Sequence, residues 1–301
     1  MKKAVFIVNP VSGSSRKRNI GEEIVSCLDM DGEAYGEGGS CGEGGLYEIV
    51  YTQRPKHASE LARSAAKEGV PVVVAVGGDG TVNEVASAVT GSSSAMGIIP
   101  SGSGNGLARH LGIPQDVKKA VRKILEGKTI AIDYGLLNRK MFFCTCGCGF
   151  DAEVGWKFGG KRGRSSYIRT VMKEFFRYSP SHYEIEDSEG NTVFDSKAFL
   201  VTAANASQWG NNAYVAPGAS VQDGLLDLVV VEPFSMLTAA SLSWRIFHRS
   251  LLKSGKVRHF SGKAFTVRRS EAGLVHLDGE PLFAPEEIDI SVCPKGLKII
   301  V

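Results

Sequence analysis

Three times between residues 4 and 111 the chain runs a short apolar segment into a loop of Gly, Ser, Thr and Asn and then into a helical pattern. Val72-Val73-Val74-Ala75-Val76 enters Gly77-Gly78-Asp79-Gly80-Thr81, with a helix predicted from about Asn83. Ala4–Val8 enters Asn9-Pro10-Val11-Ser12-Gly13-Ser14-Ser15, and Gly97-Ile98-Ile99 enters Pro100-Ser101-Gly102-Ser103-Gly104-Asn105-Gly106 before Leu107. A strand that stops at glycines can turn sharply and present its N–H groups, and the helix behind adds the positive end of its dipole. One such loop is an ordinary strand-to-helix turn. Three in series, one holding a carboxylate, predict a nucleotide-phosphate site.

The same segments organise the first half. Helices are predicted at Asn19–Cys27, His57–Glu68, Asn83–Val89, Leu107–Leu111 and Val117–Leu125, alternating with strands at Ala4–Val8, Glu48–Tyr51, Val72–Val76 and Gly97–Ile99. Such alternation specifies a parallel sheet with helices on its faces and ligands at the carboxyl ends of the strands. The glycine- and glutamate-rich stretch 31–45 has almost nothing to bury and reads as a flexible surface loop. Beyond Ile130 the pattern becomes short and β-rich: Met141–Cys148, His182–Glu186, Ala198–Ala204, Leu226–Val231, Ala264–Val267, Val275–Leu277 and Ile288–Val292. Two amphipathic helical patterns, Tyr167–Tyr178 and Met236–Leu252, interrupt it. The expected fold is therefore an α/β nucleotide-binding domain over 1–128 and a β-rich sandwich domain over 129–301.

With 301 residues and 43% hydrophobic content the chain has enough apolar material for two cores. A net charge of +3, from 35 basic and 32 acidic residues, gives no support for a nucleic-acid partner. The basic residues nonetheless cluster, from Lys157 through Lys161, Arg162, Arg164, Arg169 and Lys173 to Arg177, and again from Arg245 to Lys263. These read either as solvated helix faces or as a surface meeting anionic lipid. No apolar run approaches the roughly 20 residues that span a bilayer, and Asn9-Pro10 cuts short the apolar start, so a cytoplasmic location is expected. Cys144, Cys146 and Cys148 would share one strand face, but Cys27, Cys41 and Cys293 show no matching pair spacing. Buried thiols are favoured over zinc.

Phosphoryl transfer requires a cradle for the donor phosphates, metal or cationic groups, and a base on the acceptor hydroxyl. The loops supply the first, Arg16, Lys17 and Arg18 could reach a phosphate, and Asp79 could ligate magnesium or accept a proton. Neither a Walker A pattern nor a G-x-G-x-x-G after a strand occurs. Late in the chain Asp278-Gly279-Glu280 places two carboxylates around a glycine at the end of an apolar strand, either as a turn aiming both into a cleft or as a β-turn with solvated acids.

These motifs resemble the catalytic domain shared by diacylglycerol kinases, sphingosine kinases and related bacterial lipid kinases. The resemblance rests on Asn9–Gly13, Gly77–Val85 and Ser101–Asn105, and continues through Gly147–Ala152, Ala216–Ala219, Asp223–Asp227 and Leu277–Glu280, over essentially the whole chain. It implies an ATP- and Mg²⁺-dependent lipid kinase with its active site in a cleft between two domains. By position it implies an ATP site of Asn9, Pro10, Ser12, Gly13, Arg16, Lys17, Thr52, Gly77, Gly78, Gly80, Thr81, Asn83, Glu84, Gly102, Ser103 and Asn105, with Asp79, Asp278 and Glu280 catalytic. It further implies a structural magnesium on Asp223 with the carbonyls of Ser220 and Leu225, and Asp151 facing the lipid headgroup. Which of Asp278 and Glu280 is the base stays open. The third loop, Ser-Gly-Ser-Gly-Asn, is closer to sphingosine and ceramide kinases than to the Gly-Thr-x-Asn-Asp of many bacterial diacylglycerol kinases, so the resemblance implies a diacylglycerol, sphingoid base or ceramide-like acceptor and leaves open which. The implied partners are ATP and a lipid met peripherally at a membrane surface, with a homodimer as a possible assembly. A soluble-substrate NAD-kinase-like enzyme and a non-catalytic lipid- or nucleotide-binding protein are the competing readings.

Overall fold

A computed structural model describes residues 3–13, 19–30, 46–159 and 164–301, which divide into two units: Met1–Ile132 with Gly296–Val301, and Asp133–Lys295. The first unit runs β1 (Ala4–Val8), α1 (Ile20–Met30), β2 (Tyr47–Tyr51), α2 (His57–Lys67), β3 (Val72–Gly77), α3 (Asp79–Val89), β4 (Ala95–Pro100), α4 (Gly106–His110) and α5 (Val117–Glu126). The strands pair in parallel in the order β2-β1-β3-β4, with Val8 beside both Tyr51 and Val76, and Val76 beside Ile99. Phe6, Val8, Val74, Val76 and Ile99 pack against Ile24 and Leu28 of α1 and Val117, Val121 and Ile124 of α5. The alternate residues Val5, Ile7, Val73 and Ala75 are buried as well. Covered on both faces, these strands read as continuous apolar runs rather than alternating ones.

α3 begins at Asp79 rather than near Asn83, because Gly78 is its N-cap and the Asp79-Gly80-Thr81 segment forms its first turn. The polar residues of the second loop thus stand at a helix N-terminus. The predicted loop 31–45 lies outside the described residues.

β5 (Thr129–Leu137) leads from the first unit into the second. There follow β6 (Lys140–Phe142), β7 (Thr145–Gly149), α6 (Phe150–Phe158), α7 (Arg164–Phe175), β8 (Ser181–Asp187), β9 (Thr192–Ala198), β10 (Leu200–Ala204), β11 (Gln208–Gly210), β12 (Ala213–Tyr214), β13 (Leu226–Val231), α8 (Met236–Phe247), β14 (Val257–Gly262), β15 (Ala264–Arg269), β16 (Gly273–Leu277), β17 (Glu280–Ala284) and β18 (Glu287–Ile300). One antiparallel sheet has the order β14-β13-β10-β7-β16-β17. Facing it, β15 pairs with β8 and with Glu287–Ser291 of β18, and β8 pairs with β9. Cys146, Cys148, Val201, Ala203, Leu228 and Val230 of the first sheet meet Tyr183, Ile185, Phe265, Val267, Ile288 and Ile290 of the second, which makes a sandwich. The alternate residues Leu200, Ala204, Val229 and Val231 pack outward under Phe150 and Val154 of α6, Val171 and Phe175 of α7, and Leu242 and Ile246 of α8. A helix layer therefore covers the outer face of the six-stranded sheet.

The chain's last six residues return to the first unit, where Ile299 pairs with Met96, and the division at Ile132 falls a few residues beyond the expected boundary. The single strand expected over Met141–Cys148 is broken at Phe143 and Cys144, and the helix expected over Met236–Leu252 ends at Phe247, before a short 3-10 turn at Leu251–Lys253. Cys146 and Cys148 lie in the sandwich core, where burial pushes the Cys148 thiol up to about 12 and Cys146 well above its ordinary value. Their thiols are packed among apolar side chains, as buried structural cysteines are.

Candidate functional site

In the first unit β1, β3 and β4 are neighbours, so their three loops emerge side by side at one carboxyl edge. Asn9 Nδ2 donates to Thr81 Oγ1 at 3.0 Å and Asn9 Oδ1 accepts from Val11 N–H, tying the first loop to α3. Ser12 Oγ donates to the Asn9 carbonyl at 2.8 Å and lies 3.4 Å from Ser101 Oγ in the third loop. Asp79 fastens the second loop to the third: Oδ2 accepts from Asn105 N–H at 2.9 Å and Oδ1 from Gly106 N–H at 2.7 Å. Asn105, in the left-handed region at φ 51°, closes its own loop by accepting from Gly102 N–H and donating to the Gly102 carbonyl.

Backbone meets backbone where these loops touch. A Cβ on Gly102 would lie 2.5 Å from the Gly78 Cα and 2.7 Å from Asn105 Oδ1, so only glycine fits. On the nucleotide-site reading that the motifs imply, Gly102→Ala is expected to raise KM for ATP about tenfold, the consequence of about 1–3 kcal/mol of overpacking. Gly255→Ala, whose Cβ would meet open space, is the control that should leave KM unchanged.

The remaining residues assigned to the nucleotide are distributed around this edge. Thr52 follows β2 and donates its N–H to the Val8 carbonyl, Gly77 ends β3 under Thr81, and Ser103 is exposed in the third loop. Pro10 and Gly13 lie in the first loop, and Gly80 in the first turn of α3. Asn83 accepts from Ser87 within α3. Glu84 points elsewhere: its carboxylate accepts from Lys56 N–H and Ser59 N–H, each at 3.3 Å, and so caps α2. Arg16 and Lys17 lie outside the described residues.

In the second unit Asp278 and Gly279 form the tip of the β16–β17 hairpin, with φ values of 49° and 86° and Leu277 paired with Glu280. Two successive positive φ values are what a two-residue I′ turn requires. The turn does not aim both acids outward. Asp278 Oδ2 accepts from Phe143 N–H at 2.9 Å, and Oδ1 accepts from Cys144 N–H and Thr145 N–H at 2.8 and 3.0 Å. Asp278 N–H in return donates to the Thr145 carbonyl. This lock explains the break between β6 and β7, whose freed amides need an acceptor. Glu280, by contrast, is exposed.

Asp151 lies in the first turn of α6, where Oδ2 accepts from Thr202 Oγ1 at 2.6 Å and faces His276 Nε2 at 3.0 Å. His276 is only 2% exposed, and its Nδ1 faces Gly279 N–H at 3.4 Å. With Nδ1 toward the Gly279 amide, the other ring nitrogen is directed at Asp151. A chain of polar contacts thus runs from Asp151 through His276 to the Asp278-Gly279 turn. Sequence reasoning missed His276 and Thr202, and the signal available was a lone histidine in an apolar strand beside the acidic turn.

Asp223 is exposed, with Oδ1 accepting from Leu225 N–H at 3.0 Å, while the fully buried Asp133 accepts from Gly224 N–H and Lys295 N–H, both at 2.7 Å. Among the described residues no three His, Cys, Asp or Glu side chains converge to hold a metal. A cation on Asp223 would depend on the Ser220 and Leu225 carbonyls, an all-oxygen set of the kind magnesium accepts.

Comparison with known proteins now adds a family to this geometry. Residues 3–137 match the diacylglycerol kinase catalytic domain, and residues 145–301 match the YegS C-terminal NAD kinase beta sandwich-like domain. The chain belongs to the diacylglycerol kinase catalytic-domain superfamily of lipid kinases. Among curated relatives, a "Probable lipid kinase YegS-like" of Enterobacter sp. strain 638 is 28% identical over 263 residues, covering 84% of this chain and 86% of the relative. A "Probable lipid kinase YegS" of Escherichia coli strain SMS-3-5 is also 28% identical, over 85% of this chain and 86% of its own. Among solved structures, a diacylglycerol kinase of Bacillus anthracis strain Sterne superposes with a TM-score of 0.73 at 21% identity, covering 99% of this chain and 96% of that one. An NAD kinase of Archaeoglobus fulgidus in complex with ATP gives 0.54 at 13% identity, covering 99% and 93%. These structures support the fold: a parallel α/β unit and an antiparallel sandwich.

Proposed function

We propose that this lipid kinase uses ATP held by the three loops of the first unit and passes its γ-phosphoryl group to a lipid hydroxyl deprotonated by Glu280. The observation that carries this reading is the set of amide-rich loops fastened at one carboxyl edge by Asp79, a cradle suited to phosphate oxygens. Asn9, Pro10, Ser12, Gly13, Gly77, Gly78, Gly80, Thr81, Gly102, Ser103 and Asn105 shape it. Thr52 and Asn83 border it, and Glu84 supports it through α2. Asp278 accepts three amide N–H groups and is better placed to hold the turn than to receive a proton, whereas Glu280 is exposed at the same hairpin. Asp151, held by Thr202 and His276, would orient the acceptor headgroup. Magnesium, when bound on Asp223 with the Ser220 and Leu225 carbonyls, would supply positive charge that rigidifies the 220–225 loop.

The acceptor is met at a membrane to which the protein binds peripherally. No helix among the described residues is long and apolar enough to cross a bilayer. Lys157, Arg169, Lys173 and Arg177 are exposed on or beside α6 and α7, and Lys161 and Arg162 lie outside the described residues.

The deciding experiment is incubation with labelled ATP, magnesium and a mixed lipid extract, with NAD as a parallel substrate. A phosphorylated diacylglycerol, sphingoid base or ceramide is the expected product. Label on NAD alone would establish the soluble-substrate alternative.

A further inference from the structure

α8 is apolar on two opposite faces. Leu242 and Ile246 turn inward to the sheet, while Leu237, Trp244 and Phe247 project into solvent, Leu237 being 89% exposed and Trp244 58%. At 100° per residue Leu237, Ala240, Ser241, Trp244 and His248 form one stripe, flanked by Phe247 and Met236. A surface helix with an aromatic and aliphatic outer stripe needs something to cover it. The Phe175 and Phe234 rings meet at 5.9 Å and join the end of α7 to the segment that leads into α8.

Charge indicates what covers it. Between Glu232 and Glu271 the sequence has no acidic residue and eight basic ones: Arg245, Arg249, Lys253, Lys256, Arg258, Lys263, Arg268 and Arg269. Many are engaged locally, Arg245 with the Ser250 carbonyl, Arg249 stacked on Tyr214, Arg258 with Glu232, Arg268 with Glu186 and Glu287, and Arg269 with the Gly273, Leu274 and Ala284 carbonyls, but Lys253 and Lys256 are exposed just beyond the helix. An isologous contact with a second copy would bring two such basic segments together, which opposes it. An anionic bilayer satisfies both features, with apolar side chains entering the acyl boundary, Trp at headgroup depth and lysines on the phosphates.

We infer that α8 is a membrane-docking helix, lying in the plane of an anionic phospholipid surface with Leu237, Trp244 and Phe247 inserted and Lys253 and Lys256 on the headgroups. Its purpose rests on the lipid-kinase reading, but the binding itself can be measured without turnover.

The test is co-sedimentation of the full chain with phosphatidylcholine vesicles and with vesicles containing phosphatidylglycerol. The wild-type protein should prefer the anionic vesicles. The Leu237→Ser, Trp244→Ser double variant, whose replaced side chains are exposed, should bind them about tenfold more weakly or worse at all salt concentrations. Lys253→Glu, Lys256→Glu should weaken binding at low salt, with the difference from wild type shrinking as the Debye length falls to about 3 Å at 1 M. Quenching of tryptophan fluorescence by brominated lipid should fall in Trp244→Phe. Unchanged vesicle binding in both double variants would overturn the inference. So would a wild-type dimer that becomes monomeric in the Leu237→Ser, Trp244→Ser variant, since the stripe would then be covered by a second copy. Vesicle binding that depends on α8 in a protein phosphorylating no lipid would sink the kinase reading and leave the docking helix standing. Lipid phosphorylation with α8-independent binding would do the reverse.

Discussion

Glu280→Gln is expected to lower the rate of phosphoryl transfer by about 10²–10⁴-fold, the range a positioned general base contributes, while KM for ATP and the melting temperature stay close to wild type. Glu280 is exposed at the start of β17 and the amide preserves its shape, so proton acceptance is lost with little change in volume. Asp278→Asn should behave differently. The asparagine can present one carbonyl oxygen where two carboxylate oxygens now receive three backbone amides at 2.8–3.0 Å. Hydrogen bonds to a charged acceptor contribute about 1.5–3 kcal/mol each, so a loss of about 3 kcal/mol is expected. That corresponds to a melting temperature lower by roughly 6–12 °C. The rate falls too, because the hairpin that carries Glu280 is no longer fixed. Steady-state kinetics and thermal unfolding on both variants separate base from scaffold. A catalytically dead but thermally unchanged Asp278→Asn beside a fully active Glu280→Gln would exchange the two roles.

The parts of this arrangement that were legible in the sequence are local. β1, β3 and β4 are short apolar runs punctuated by glycine, and because parallel strands are buried on both faces the run itself is the signal. Their loops could be placed at one carboxyl edge from the alternation alone. The start of α3 could not, because Gly-Asp-Gly-Thr carries the composition of a loop and yet forms a helical turn once Gly78 caps it. β17 was missed for a related reason. Pro281 argues against a strand, yet β17 is the edge strand of its sheet, where a missing N–H is tolerated. Asp278-Gly279 between apolar segments was a hairpin signal in plain view.

What the sequence hides is contact between distant residues. Nothing near Phe143 announces that its strand breaks, since the acceptor for its amide lies 135 residues later. Asp151 could be noted as an acid after a glycine-rich strand, but its partners Thr202 and His276 lie 51 and 125 residues away. Glu84, which the motif places with the nucleotide residues, turns its carboxylate to the Lys56 and Ser59 amides at the start of α2, 28 and 25 residues earlier, a contact that the motif alone does not reveal. A motif identifies a local conformation, and side-chain direction within it is decided by packing.

Asp79 is where motif and packing meet, and Asp79→Asn is expected to lower kcat/KM for ATP at least about 100-fold, equivalent to about 2.7 kcal/mol. Its carboxylate holds the amides of Asn105 and Gly106, so it sets the third glycine loop against the second, where Gly78 and Gly102 are in backbone contact. In the asparagine variant one of these N–H groups faces an NH₂ donor and is left unsatisfied, a loss of about 1–3 kcal/mol. The third loop, whose Gly102 N–H is held by Asn105 Oδ1 and whose Asn105 and Gly106 N–H groups are held by Asp79, then loses its fixed position against the second. Because the bonds join two loops at the edge of the sheet and leave β1, β3 and β4 intact, the fold should persist, with circular dichroism unchanged. The division of the effect is informative. A cradle role predicts a raised KM for ATP with a smaller change in kcat, whereas direct contact with a metal ion or the transferring phosphoryl predicts loss of kcat at saturating ATP. Gly102→Ala should then reproduce the first pattern, since it disturbs the same loop contact without touching any charge. Wild-type kcat and KM in a folded Asp79→Asn protein would mean that this carboxylate merely closes a turn and that the phosphates are held elsewhere.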